Sequence, residues 1–126
     1  MSNGQTKSLL KILSKIKTST AAIIRDARYD TTSAGLTRNS YQQERGWRKH
    51  VRAVAKLNRL CTEARMLAEF FDRPILSRVF IAVDLTAEIL SCCRDFPREE
   101  EWPGTEPFKF QQGYLTGAQR LLRETL

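Results

Sequence analysis

The stretch 41–72 constrains the fold more than any other feature of the 126-residue sequence, because it carries two residue stripes at helical spacing. One stripe is apolar: His50, Val54, Leu57, Cys61, Ala64, Ala68 and Phe71, flanked by Leu60 and Leu67. The other is basic: Arg45, Arg48, Arg52, Lys56, Arg59 and, through Thr62, Arg65. Steps of three and four residues bring each set to one side of an α-helix. At about 1.5 Å per residue such a helix is roughly 45 Å long. That is long for so small a chain, and it calls for another long helix alongside, often one from a second subunit. Ser40 with Gln43 forms a capping box at its head. Gly46 weakens the first turns and offers a second start near Trp47.

Proline is tolerated in the first turn of a helix and disfavoured inside one. Pro74 therefore ends the long helix near Asp72 and opens another. Ile75, Leu76, Val79, Phe80, Val83, Leu85, Ile89 and Leu90 make this next helix strongly apolar, to about Asp95. Only the bundle itself or a partner can bury so much. An earlier amphipathic helix spans Lys7 to Arg28, with Leu9, Ile12, Leu13, Ile16 and the run 21–24 on one side. Lys7, Lys11 and Lys15 share another face. Tyr29 to Asn39, with Asp30, three threonines, Ser33 and Gly35, reads as a loop. Phe96 to Gln112, with Pro97, Pro103, Gly104, Pro107 and an acidic run at 99–101, reads as irregular. A last short helix, Tyr114 to Glu124, aligns Leu115, Ala118, Leu121 and Leu122. No segment reads as a strand. The expected organisation is a helical domain over 1–96, with the acidic, proline-containing 97–126 packed on it.

Charge is unevenly spread. Residues 1–73 hold 15 Lys/Arg against 6 Asp/Glu, whereas 74–126 hold 6 against 8. A net of +9 beside a net of −2 points to a polyanion-binding half. Three cysteines, Cys61, Cys92 and Cys93, two of them adjacent, make a poor disulfide framework. With a single histidine and no CxxC, a metal site has no support, and the cysteines read as packing residues. No apolar run reaches the roughly 18 residues of a membrane span. Met1 to Thr6 shows no leader pattern, which places the chain in the cytosol or nucleus.

Cations at a regular rise on a rigid rod suit phosphates. Only Glu44 and Glu63 fall near the stripe, whereas an ordinary solvated face mixes signs. Asn58 and Thr62 add neutral hydrogen-bonding groups that fit phosphates and ribose hydroxyls. No zinc-finger, basic-zipper or aromatic-sheet pattern accompanies them. A helical surface is too broad for the deep, narrow major groove of A-form RNA, but it can lie across phosphates and the shallow minor groove. Binding would then read shape and charge rather than sequence. Arg45 and His50 match an Arg-x4-His spacing found in helical ribonucleases; chance gives the pair often, and His50 reads as a half-buried helix residue. Trp47 reads as a packed aromatic at the bundle end. Trp102, Phe108, Phe110 and Tyr114 are expected to fold back on the core in preference to forming a partner patch.

One further pattern lies across the helix junction. Thr62, Arg65-Met66, Leu67-Ala68, Glu69, Phe70-Phe71, Asp72-Arg73 and Pro74, followed by an apolar helix, resemble the small double-stranded-RNA-binding silencing suppressor of nodaviruses. Ser40-Tyr41-Gln42 at the head of the long helix is similar too. The resemblance covers roughly 8–90 and is strongest at 58–81. It implies an all-α homodimer in which two long antiparallel helices per chain build a four-helix bundle, with shorter C-terminal helices. It implies sequence-independent binding along one face of duplex RNA, shielding long duplexes from dicing and sequestering small interfering RNA in the host cytoplasm. Carried over by position, Asn58, Thr62, Arg65 and Arg73 would contact RNA. Val51 and Ala55 depart from the family's contact residues, and helical spacing nominates Arg45, Arg48, Arg52, Lys56 and Arg59 in their place. The segment after about 96 has no counterpart in that family.

The expectation is thus a non-enzymatic viral RNA-binding dimer with no cofactor, no metal, no membrane contact and no small-molecule substrate. Two other readings stand beside it. One is a helical-bundle interaction protein docking an acidic protein or DNA through its basic face. The other is a metal-independent ribonuclease resting on Arg45 and His50.

Overall fold

A computed structural model describes the backbone of residues 3–32, 40–95 and 105–126, and the side chains of these apart from 26–32, 40–45, 47, 94, 95 and 105. It contains four helices, α1 (Asn3–Thr32), α2 (Ser40–Ala68), α3 (Arg73–Asp95) and α4 (Thr105–Glu124), and no strand among the described residues. The all-α reading stands. Its boundaries need correction at four places. α1 begins at Asn3, four residues before the expected Lys7, and continues to Thr32, past the expected stop at Arg28. α2 starts at Ser40, beside the expected Tyr41, and runs unbroken through Gly46. It ends at Ala68 rather than Asp72, because the Phe70 and Phe71 N–H groups donate to the carbonyls of Leu67 and Ala68 (3.1 and 3.0 Å), tightening the last turn to a three-residue repeat. α4 begins at Thr105, nine residues before Tyr114. Pro107 lies in its first turn, where a missing N–H costs nothing.

Asp72 starts α3. Its carbonyl accepts from the N–H groups of Ile75 and Leu76, both at 3.0 Å, and Pro74 fits the turn these bonds close. Glu106 in the first turn of α4 and Arg123 in the last complement the helix dipole.

Cross-helix contacts fix the directions. Arg65 and Cys61 on α2 meet Phe80 and Thr86 on α3, so one number falls as the other rises. Lys17 and Ser14 on α1 meet Thr116 and Gln119 on α4, while Arg78 and Thr86 on α3 lie against Gly117 and Gln111 on α4. Each of these pairs is antiparallel. The helices therefore run up, down, up, down in a ring, with α2 and α4 at opposite corners. α3 packs most closely on α4, and α1 on α2.

Leu9, Leu13 and Ile16 of α1, Leu57, Ala64 and Ala68 of α2, Ile75, Val79, Ala82 and Ile89 of α3, and Leu115, Ala118 and Leu122 of α4 fill the core. The apolar stripe of α2 is the buried face, with His50, Val54 and Leu67 half-buried at its edges. The chain's own helices cover the apolar face of α3, apart from the exposed Ile81. Of the C-terminal aromatics, Phe108 packs on the core, but Phe110 and Tyr114 are exposed. Their expected fold-back is thereby corrected: both lie on the outer side of α4, away from Gln111, Leu115 and Ala118. Trp102, the run 99–101 and residues 33–39 lie outside the described residues, as do the side chains of Ser40, Gln43 and Trp47.

A polar node sits inside this core. The Gln111 amide donates to the hydroxyls of Thr20 and Thr86, both at 2.9 Å. Those hydroxyls donate in turn to the carbonyls of Ile16 and Ala82 one turn back, both at 2.7 Å. Cys61 hydrogen-bonds Thr86, so all four helices meet at one satisfied cluster. Cys61 and Cys93 are buried and Cys92 is half-buried; all three are free thiols, as packing residues should be. Burial pushes the Cys61 thiol up to about 11, partly opposed by its bond to Thr86. Burial, with the neighbouring Cys92, does the same to Cys93.

Candidate nucleic-acid interface

α2 buries Leu57, Leu60, Cys61, Ala64 and Ala68 against its neighbours and, apart from the half-buried Leu67, turns the residues between them outward. Arg48, Arg52, Lys56, Asn58, Arg59, Thr62 and Arg65 are all exposed, as is Arg73 at the head of α3. The side chain of Arg45 lies outside the described residues. From Arg48 to Arg65 the row extends about 25 Å at helical rise.

The row is not straight. Steps of four residues carry it from Arg48 through Arg52 to Lys56, and one step of three returns it to Arg59. Each step of three falls about 60° short of a full turn. Two more such steps, to Thr62 and then Arg65, swing the row round the helix towards α3. There the Arg65 guanidinium stacks on the Phe80 ring, 5.0 Å from its centroid. The structure thus groups Arg48, Arg52, Lys56 and Arg59 on one outward face and sets Arg65 on the α2–α3 flank. Thr62 is less available as a donor than its sequence suggests, since its hydroxyl donates to the Asn58 carbonyl at 3.0 Å. Its oxygen still accepts. The Asn58 side chain is exposed.

Cations outnumber carboxylates on the central face among the described residues. Arg52, Lys56 and Arg59 carry no ion pair with any described residue. Glu63 is the one carboxylate among the exposed residues 48–66. The neighbouring α1 presents a second exposed row, Lys7, Lys11 and Lys15. Their four-residue spacing puts them on one side of α1, which packs on α2. Sequence patterning also misses two large exposed apolar residues, Met66 in the last turn of α2 and Phe70 just past its end. They hide within the apolar run from Met66 to Phe71.

His50 is half-buried, and its supposed partner Arg45 has no described side chain. Among the described residues no group of His, Cys, Asp and Glu is placed to hold a metal ion, and no helix is long and apolar enough to cross a membrane.

No protein-family model, curated protein or solved structure matches the chain.

Proposed function

We propose that the protein binds double-stranded RNA without sequence preference, through the outward face of α2, and thereby suppresses host RNA interference. The observation that carries this is the cluster of Arg48, Arg52, Lys56 and Arg59, exposed on one rigid face where Glu63 is the one carboxylate among residues 48–66. A straight rod with fixed cations favours a polymer whose phosphates recur along a groove edge, and every phosphate neutralised releases condensed counterions. The same face offers no narrow projecting element for base readout, so recognition is by shape and charge. Shielding of long duplexes and sequestration of small interfering RNA follow from the nodaviral resemblance, as does a non-enzymatic role in the host cytoplasm. In this reading the contacts come from Arg48, Arg52, Lys56, Asn58, Arg59, Thr62, Arg65 and Arg73, with Arg45 at the head of the row.

The active species in this proposal is a homodimer. One chain already closes its own four-helix ring, so a second copy would add to the bundle from outside. Ile81, Phe110 and Tyr114, exposed on α3 and α4, are the apolar surface available to it. The second reading, a bundle that docks an acidic protein or DNA through its basic face, draws on the same exposed cations of α2.

Gel shifts with duplex RNA, duplex DNA and single strands across a salt series separate these readings. The proposal expects duplex RNA to bind tightest at every salt concentration. Equal affinity for duplex DNA removes the RNA-specific claim, and absence of binding at low salt leaves protein docking. Cleavage of the RNA that disappears in His50→Ala would establish the ribonuclease.

A further inference from the structure

Met66 and Phe70 are the most exposed large hydrophobic residues of the described chain, at 65% and 60%. Met66 lies in the last turn of α2, and Phe70 follows two residues past the helix end at Ala68, its N–H held by the Leu67 carbonyl. Arg59 lies on the same side as Met66, which follows it by seven residues, two near-complete turns. Met66 therefore continues the line of Arg48, Arg52 and Arg59, about 10 Å beyond Arg59 at helical rise, and Phe70 stands just beyond it. Its position closes the row, because the chain turns into α3 immediately afterwards.

Charge changes sign at this point. Glu69 and Asp72, both exposed, flank Phe70, with Arg73 next. Carboxylates there disfavour a phosphate, and they disfavour an anionic membrane surface for the same reason. They do not disfavour the face of a nucleobase, which is neutral. An exposed phenyl ring beside a basic track is the combination with which proteins hold unpaired bases, by stacking and without sequence readout.

We infer that Phe70, backed by Met66, is a stacking platform for an unpaired nucleotide at the end of the duplex. This rests on the RNA-binding reading above and sharpens its ligand to a duplex with a single-stranded overhang. The duplex lies along Arg48 to Arg65, its last base pair falls short of Phe70, and the overhanging base rests on the ring, with the overhang's phosphates on the side of Arg73. Base pairs within a duplex are stacked on each other and offer no free face, so the platform discriminates ends from interiors.

The test uses the full chain with short RNA duplexes of one paired length, blunt or with a 5′ or 3′ overhang carrying 2-aminopurine. Wild type is expected to prefer one overhang over the blunt duplex by about tenfold, the low end of what stacking on an aromatic gives. The 2-aminopurine fluorescence should change on binding. Phe70→Ala should lose both effects and keep the blunt-duplex affinity, and Phe70→Trp should keep all three. Melting curves establish that each variant folds. Equal affinity of wild type for blunt and overhanging duplexes overturns the inference while leaving the RNA-binding reading intact. So does an overhang preference that survives Phe70→Ala. If wild type binds neither duplex, the underlying reading fails, and this one with it. Binding to phosphatidylserine vesicles that falls in Phe70→Ala, with no overhang preference, assigns the patch to a membrane surface instead.

Discussion

Arg65 and Arg59 belong to one row, yet the structure gives them different work. Arg65 stacks on Phe80 across the α2–α3 seam, whereas Arg59 pairs with no described residue. An exposed cation–π contact is worth about 0.5–1 kcal/mol. Arg65→Ala should therefore lower stability by about that much and weaken duplex RNA binding by about 1–3 kcal/mol. Arg59→Ala should weaken binding similarly with an unchanged denaturant midpoint. Urea melts beside the gel shifts check both, and a collapse of folding in Arg65→Ala would make that residue structural. Gln111 poses the opposite problem, since it is polar and fully buried. In Gln111→Ala the Thr20 and Thr86 hydroxyls keep their own bonds to Ile16 and Ala82 but lose the donor between them. An abandoned buried acceptor and a cavity together should cost about 2–4 kcal/mol. Replacing all three partners, as Thr20→Val, Thr86→Val and Gln111→Leu, should cost less, because only the weakly bonding Cys61 thiol and the half-buried Gln112 amide then lose a partner. Calorimetry of the two proteins decides it, and equal losses would show that packing alone sets the site.

At the scale of the helix, glycine gives the sharpest expectation. Gly113 lies within α4, and a Cβ added there meets nothing within 4 Å. Gly113→Ala should stabilise the protein by about 0.5–1 kcal/mol through lower helix-forming entropy cost. At Gly117 a Cβ would press on the Arg78 side chain at 3.3 Å, so Gly117→Ala should gain less. Thermal melts of the two variants rank them. These positions also show what was legible in advance. Periodicity located all four helices and the buried face of α2, because apolar spacing reflects the core directly. It shortened α4 because Pro107 closes a proline-containing stretch that reads as irregular, and only the tertiary context places that proline in a first turn. It gave no sign of Gln111 and Gln119 in the core, since a polar side chain gives no apolar signal even where partners on α1 and α3 satisfy it. The candidate site was legible as a set of residues. Its division was not, since the drift from Lys56 to Arg65 needs the neighbouring α3 before it has a consequence.

For the molecule as a whole, two properties depend on many groups at once. The first is alkaline stability. Cys61 and Cys93 hold their protons to about pH 11 in the fold, from an ordinary value of 9.0. Unfolded thiols ionise near the ordinary value, so above about pH 9 the unfolded chain binds fewer protons and stability falls until the folded thiols titrate. The loss is on the order of 2 kcal/mol per thiol at most. Urea midpoints at pH 7 and pH 10.5 should diverge more in wild type than in Cys61→Ala or Cys93→Ala. The second is the salt dependence of binding, which reports how many phosphates the assembled face engages. Arg48, Arg52, Lys56 and Arg59 give at least four contacts, and each contributes about 0.9 to the slope of log affinity against log salt. Between about 50 and 200 mM salt, affinity for duplex RNA should fall by about two orders of magnitude. Arg52→Ala should reduce the slope by about one, and Arg52→Ala with Arg59→Ala by about two, for any duplex sequence. Phe70→Ala should leave it unaltered, since a stacked base releases no counterion. A slope near zero in wild type would remove the phosphate-tracking role of α2. A slope unmoved by either arginine would transfer that role to another surface, for which the exposed Lys7, Lys11 and Lys15 of α1 are the next candidates.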